Sequence, residues 1–261
     1  MKKNPYLGKF IAFEGVEGSG KSTQAELLHR SLLERAIPHE VTKEPTSQSV
    51  FGKLVKFIYA CESLYDELPD KLDACTKEHE YELVKAMLGD VAKRHLTHFE
   101  DIADEIRKRN HERLPLLLQL GMIFDRYQHR LWESERLEKG ICIISDRDFF
   151  STLAYGAAEG LSEAKLLVWH EEILGDRFIV PDCVLVFDVP VIVGLQRTMK
   201  KQGGKQEHFD EPVVMDRIRE NYSRFIERPD FKESMRIEKI NGLGTPKEVN
   251  WRVLRVINDY F

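Results

Sequence analysis

Residues 15–22 read Gly-Val-Glu-Gly-Ser-Gly-Lys-Ser, directly after the apolar run Phe10–Phe13 and at the start of a helical pattern over Ser22–Arg35. This is G-x-x-x-x-G-K-[ST] in the strand–loop–helix setting the motif requires. Few sequence features restrict a fold so tightly. The glycines let successive backbone N–H groups turn into the loop and the following helix adds its positive end. Lys21 brings a point charge to the β- and γ-phosphates, and the Ser22 hydroxyl can ligate Mg2+. The chain must therefore build a strand, a tight turn and a helix packed back on a parallel sheet. The segment Gly15, Val16, Glu17, Gly18, Ser19, Gly20, Lys21, Ser22 and Thr23 is predicted to hold ATP or GTP with magnesium. The loop alone names no reaction, because switches, motors, ATPases and kinases share it.

Hydrophobic periodicity supplies the rest of the frame. Short β-rich runs at Phe10–Phe13, His39–Thr42, Ile141–Ser145, Cys183–Asp188 and Met235–Ile240 alternate with helical stretches, which predicts a parallel sheet covered on both faces. Helices are expected over Leu116–Glu138, Glu163–Leu174, Val191–Lys200, Val213–Glu227 and Lys247–Tyr260. The chain reads as one domain, 1–261, with two additions. Residues 53–114 contain no strand-like run and place Leu83, Val84, Met87, Leu88 and Val91 at helical spacing, so they predict a helical insertion. Residues 200–211, with paired glycines and several lysines, predict a mobile polar loop.

Composition sets further bounds. With 42% hydrophobic residues the chain has enough apolar material for a sizeable core, and it has no uncharged apolar stretch of membrane-spanning length. No membrane span and no secretory leader are expected. Cys61, Cys75, Cys142 and Cys183 are scattered without a C-x-x-C pair, and the histidines lack metal-ligand spacing, so a reducing, cytoplasmic compartment is predicted, without a zinc knuckle. A formal charge of −5, with an acidic surplus in residues 53–114, argues against non-specific nucleic-acid binding.

The run ICIIS ends in Asp146-Arg147, which sets a carboxylate and a guanidinium at the carboxyl edge of the sheet beside the phosphate loop. The Asp can orient a magnesium ion's waters. The Arg can grip a phosphoryl group through two parallel N–H bonds. Here the residues carry a family resemblance. FIAFEGVEGSGKSTQAELL, VTKEPT, SDRDFFSTLAY and PDCVLVFDVPVIVGLQR resemble, in order, four motifs of the thymidylate kinases, which phosphorylate dTMP to dTDP. The resemblance implies a P-loop NTPase three-layer α/β fold around a five-stranded parallel sheet with a lid, using ATP and Mg2+ on a deoxynucleoside monophosphate. It also implies a cytoplasmic enzyme and, as is common in the family, a homodimer.

By the same resemblance, Lys21, Glu44, Asp146 and Arg147 are the catalytic set, and Ser22, Glu44 and Asp146 the magnesium set. Glu17 corresponds to an acid near the sugar 3′-hydroxyl, and Lys43 stands where the family has an Arg on the acceptor phosphate. Arg126 matches the Arg that donates to thymine O4, and Met122 the Phe that stacks on the base. Arg147 would hold the dTMP phosphate, Ser151 and Tyr155 would line its pocket, and Arg197 would lie at the ATP end. Three positions depart from the family: Met122, Asp148 in place of an aromatic, and Gly156 in place of a Gln. The predicted lid carries Lys200, Lys201 and Lys205 but no Arg between Arg197 and Arg217. A deoxynucleoside kinase, another monophosphate kinase, a P-loop switch and a nucleotide-binding interaction module remain alternatives on the sequence alone.

Overall fold

β2 (Phe10–Gly15) runs through the middle of the molecule, and every residue in it is buried. In the computed structural model, which describes residues 1–49, 51–53, 55, 114–201 and 211–261, it has a parallel neighbour on each side. The main sheet is completed by β3 (His39–Lys43), β4 (Cys142–Asp146), β6 (Cys183–Asp188) and β7 (Arg236–Asn241), in the spatial order β3-β4-β2-β6-β7. All four pairings are parallel. A second, two-residue parallel ladder joins β1 (Lys2–Lys3) to β5 (Ile179–Val180).

The central strands carry near-continuous apolar runs because both of their faces are covered. Ile11 and Phe13 of β2, with Leu185 and Phe187 of β6, enter one core with Ala25, Leu28 and Leu32 of α1 (Lys21–Glu34) and Val249 and Val253 of α8 (Pro246–Ile257). Ala12, Val184 and Val186 point to the opposite face. There they join a larger core built by α2 (Leu114–Glu138), α3 (Phe149–Ala158), α4 (Glu163–Leu174), α5 (Val191–Lys201) and α6 (Pro212–Glu227). The short α7 (Pro229–Ser234) adds Phe231, whose ring centroid lies 4.9 Å from that of Phe150.

The five strands of the sheet and six of these helices lie within two or three residues of their sequence-predicted bounds. α3 is an addition. Nine of its ten residues are buried, so it lacks the polar stripe by which a helix announces its period. α7 and the β1–β5 ladder are too short to show a period at all. The predicted insertion at 53–114 and the predicted lid at 200–211 lie almost wholly outside the described residues. Among the described residues no helix is long and apolar enough to cross a membrane. Cys142 and Cys183 are buried free thiols.

Leu28 is fully buried between α1 and the sheet. Leu28→Ala should lower the unfolding free energy by about 2–5 kcal/mol, the usual range for a core leucine truncation, and denaturant titration reads that loss directly.

Candidate active site

The turn leaving β2 forms the phosphate loop, and its shape depends on glycine. Gly18 has φ 67°, and a Cβ there would lie 2.1 Å from the Gly194 carbonyl oxygen of α5. Neither the backbone angle nor the space admits a side chain. Lys21, at the first turn of α1, folds back into the loop, where its Nζ donates to Gly15 O at 2.9 Å and Val16 O at 2.8 Å. Burial, reinforced by the Arg147 charge, lowers its ammonium to about 8.

β4 pairs with β2 so that Asp146 stands opposite Phe13, which brings the end of β4 beside the loop. The Ser22 hydroxyl donates to Asp146 Oδ2 at 2.5 Å. The other carboxylate oxygen, Oδ1, is buried and has no hydrogen-bond partner among the described residues. Lys43, opposite Asp146 on β3, reaches to 4.0 Å of Oδ2.

Arg147 follows with φ 84°, an unfavourable backbone conformation for a residue with a side chain. Its Nη2 donates to a Glu17 carboxylate oxygen and, at 2.9 Å, to Tyr155 OH, while Nη1 donates to Ser151 Oγ at 3.0 Å. Burial opposes the charge on Glu17, but the Arg147 guanidinium and Lys21 outweigh it and bring that carboxyl down to about 2. Beneath this group lies Glu14, fully buried, with two backbone and two hydroxyl donors on its carboxylate. Desolvation pushes Glu14 up to about 7 despite its hydrogen bond from Ser151 and the Arg147 charge.

Asp146, Lys43, Arg147 and the loop residues Glu17 to Gln24 line one cleft of about 430 Å3. It continues past Arg197 and Thr198 of α5 to Gly242, Gly244, Pro246 and Val249, between β7 and α8. Arg197 donates to Gly242 O at 3.2 Å and Gly18 O at 3.3 Å, tying this end of the cleft to the phosphate loop.

Glu44, Arg126 and Met122 occupy a different environment. The Glu44 side chain is 1% exposed, and both of its oxygens accept from Arg126, which is itself fully buried. Arg126 also donates to Thr152 Oγ1 at 3.2 Å, bonds His170 Nε2 at 2.7 Å and lies 3.0 Å from Asp148. Asp148 takes a second guanidinium, Arg130, at 2.6 Å, and Arg130 pairs in turn with Glu133 at 2.5 Å. Burial raises the Glu44 carboxyl despite the guanidinium against it. The Asp125 carboxylate fixes the next segment through Thr46 N at 2.8 Å and Thr46 Oγ1 at 2.7 Å. Met122 is buried in the same apolar cluster as Phe51, Val55 and Phe124.

The sequence-predicted site residues thus fall into two groups. The phosphate loop, Lys43, Asp146, Arg147 and Arg197 line the cleft, with Ser151 and Tyr155 bonded to Arg147. Glu44 and Arg126 bind each other. Sequence reasoning missed Glu14, Tyr222, Arg130 and the pairing of Asp148 with Arg126 and Arg130. The one available signal was Glu14 itself, a charge at the end of an otherwise apolar strand. The predicted magnesium set divides the same way. Ser22 Oγ and the unpartnered Asp146 Oδ1 suit a hard divalent cation, whereas the Glu44 oxygens are engaged by Arg126.

A phosphate loop set against an Asp-Arg pair at the end of the neighbouring parallel strand places the chain among the P-loop nucleotide-binding proteins. Comparison with known proteins narrows the class. The thymidylate kinase family model matches residues 13–71 and 72–241. The thymidylate kinase of Carboxydothermus hydrogenoformans is 28% identical over 94% of this chain and 95% of its own. The probable thymidylate kinase of Thermococcus gammatolerans is 31% identical over 85% of this chain and 84% of its own. That of Pyrococcus abyssi is 30% identical over 96% of both. The chain belongs to the thymidylate kinase family, and its activity is phosphoryl transfer to dTMP.

His170 offers a test of the buried network. Burial and the Arg126 charge hold its imidazole well below 6.5, so the native state keeps it neutral where the unfolded chain takes up a proton. Stability from this group is present above pH 6.5 and is lost as pH falls below it. The stability difference between wild type and His170→Gln should shrink by about 1.4 kcal/mol between pH 7.5 and pH 5.5, as read by denaturant melts of both proteins at each pH.

Proposed function

We propose that the cleft binds ATP with Mg2+ along the phosphate loop and delivers the γ-phosphoryl group to the phosphate of dTMP held by Arg147 and Lys43. A dTMP phosphate oxygen attacks the γ-phosphorus, the bond to the β–γ bridging oxygen breaks, and ADP leaves carrying that electron pair. Such a transfer asks the protein for alignment and charge compensation rather than for a nucleophile of its own. The observation that carries this reading is the single cleft in which Lys21, Ser22, Asp146, Arg147 and Lys43 converge.

Lys21 lies inside the loop on two carbonyls, and on nucleotide binding it would exchange them for β- and γ-phosphate oxygens. Arg147 would exchange its Glu17 partner for the acceptor phosphate, which its planar guanidinium can bind through two N–H bonds, and Lys43, with an exposed side chain, adds a mobile charge on the same side. Ser22 and Asp146 would hold the Mg2+, which when bound neutralises charge on the β- and γ-phosphates. Among the described residues no three His, Cys, Asp or Glu side chains form a metal cluster, so the ion would rely on phosphate oxygens for much of its coordination. Arg197, Thr198 and the Gly242–Val249 turn would receive the rest of the ATP.

Glu44 acts in this scheme through Arg126, by fixing the wall behind the acceptor, and not as a direct metal ligand. The family resemblance extends the proposal to a cytoplasmic homodimer, whose sedimentation should give twice the 30.4 kDa chain mass. A mass of one chain at working concentration would remove the dimer.

ADP release is the direct assay, with ATP and Mg2+ against dTMP, dUMP, UMP, CMP, AMP, GMP and thymidine as acceptors. A clear preference for dTMP is expected, and Lys21→Ala should lower kcat by at least about a thousandfold with an unchanged circular dichroism spectrum. Turnover unaltered in Lys21→Ala would contradict the mechanism, and thymidine as the best acceptor would make the protein a nucleoside kinase.

A further inference from the structure

Glu14 belongs to the strand rather than to the phosphate loop, and it does not line the cleft. It is nevertheless the most heavily bonded carboxylate near Arg147. Its Oε1 accepts from the backbone N–H of Asp148 at 2.8 Å and of Ser151 at 3.2 Å. Its Oε2 accepts from Ser151 Oγ at 2.6 Å and from Tyr222 OH, on α6, at 2.9 Å.

Two of these bonds act directly on Arg147. The Asp148 N–H belongs to the peptide that follows Arg147, so Glu14 pins the backbone on the far side of a residue held at φ 84°. On the near side, Arg147 N donates to Phe13 O at 2.9 Å. A residue with a side chain stays in that region only when its surroundings over-determine it. The other bond sets a polarity. Ser151 has one hydroxyl proton, and Glu14 Oε2 takes it, which turns the oxygen's lone pairs toward Arg147 Nη1 at 3.0 Å.

We infer that Glu14 is the positioning residue for Arg147: its ionised carboxylate, through Ser151 and the Asp148 N–H and braced by Tyr222, fixes the guanidinium that grips the acceptor phosphate. The inference rests on the proposed role of Arg147, and the test separates the two.

Glu14→Gln keeps an oxygen for the two backbone donors but turns the other atom into an amide donor. The amide must then compete with Arg147 for the Ser151 lone pairs and leaves one hydroxyl proton in this buried cluster without an acceptor. Assays at pH 8, above the point where the Glu14 carboxyl ionises, should show KM for dTMP raised about tenfold, with KM for ATP within about twofold of wild type. In a Ser151→Ala background the same change should raise KM for dTMP by less than about threefold, because the path through the hydroxyl is already cut.

A role confined to folding would lower the melting temperature and the active fraction while leaving KM for dTMP unchanged, and that result would overturn the inference. A lower KM would overturn it too, since that is the outcome if Glu14 acts only as a negative charge competing with phosphate for Arg147. Tyr222→Phe deletes one donor to the same oxygen without touching the backbone and should raise KM for dTMP about threefold. An unchanged value there defeats the inference even if Glu14→Gln does not fold. Arg147→Lys, measured alongside, should raise KM for dTMP at least about tenfold. If it does not, the acceptor-phosphate role of Arg147 fails first, and the cause is then known to lie there.

Discussion

The parallel pairing of β2 with β4, with Phe13 opposite Asp146, is the constraint on which the site depends. The turn leaving β2 becomes the phosphate loop, and the turn leaving β4 presents Asp146 and Arg147 to it. The 2.5 Å bond from Ser22 to Asp146 closes the gap between them. A slip of one residue in this register would turn Asp146 to the opposite face of the sheet and separate the carboxylate from the hydroxyl. The apolar faces of both strands hold the register, since Ile11 and Phe13 fill one core while Ala12 faces the other. Chemistry at the end of the sheet is thus fixed by packing in its middle.

A second constraint lies behind the cleft. Arg126 and Arg130 are fully buried beside Glu44, Asp148 and Glu133, a group of charges that persists inside a protein only when each is paired. The group joins α2 to the segment after β3 and to the start of α3, and so holds together three of the elements behind the cleft. Asp148 is its shared member, at 2.6 Å from Arg130 and 3.0 Å from Arg126. An acid at this position, where the family resemblance expects an aromatic, therefore has a structural explanation in this chain: it balances the second guanidinium.

Local chemistry was legible in the sequence, and long-range partnership was not. Gly15–Ser22 and Asp146-Arg147 could be recognised because each is a contiguous motif at a strand end, and the strands stood out because runs such as Cys183–Asp188 are apolar on both faces. α3 escaped detection for the related reason that burial on all sides erases helical periodicity. The tie from Glu14 to Tyr222 spans 208 residues and leaves no pattern in either neighbourhood. Arg126 illustrates the same limit. Its place on the helix was readable, but its commitment to Glu44 and Asp148 arises only when α2, the β3 turn and α3 meet.

The central claim is that one cleft holds the donor's phosphates on the loop of β2 and the acceptor's phosphate on the Arg147 that follows β4. A single molecule joining adenosine to thymidine through five phosphates spans both halves and measures this most directly. Calorimetry should give it a dissociation constant at least about a hundredfold below that of ATP or dTMP alone, and kinetics should show competition with both substrates. Competition with ATP alone, with affinity no better than that of ATP, would contradict the account.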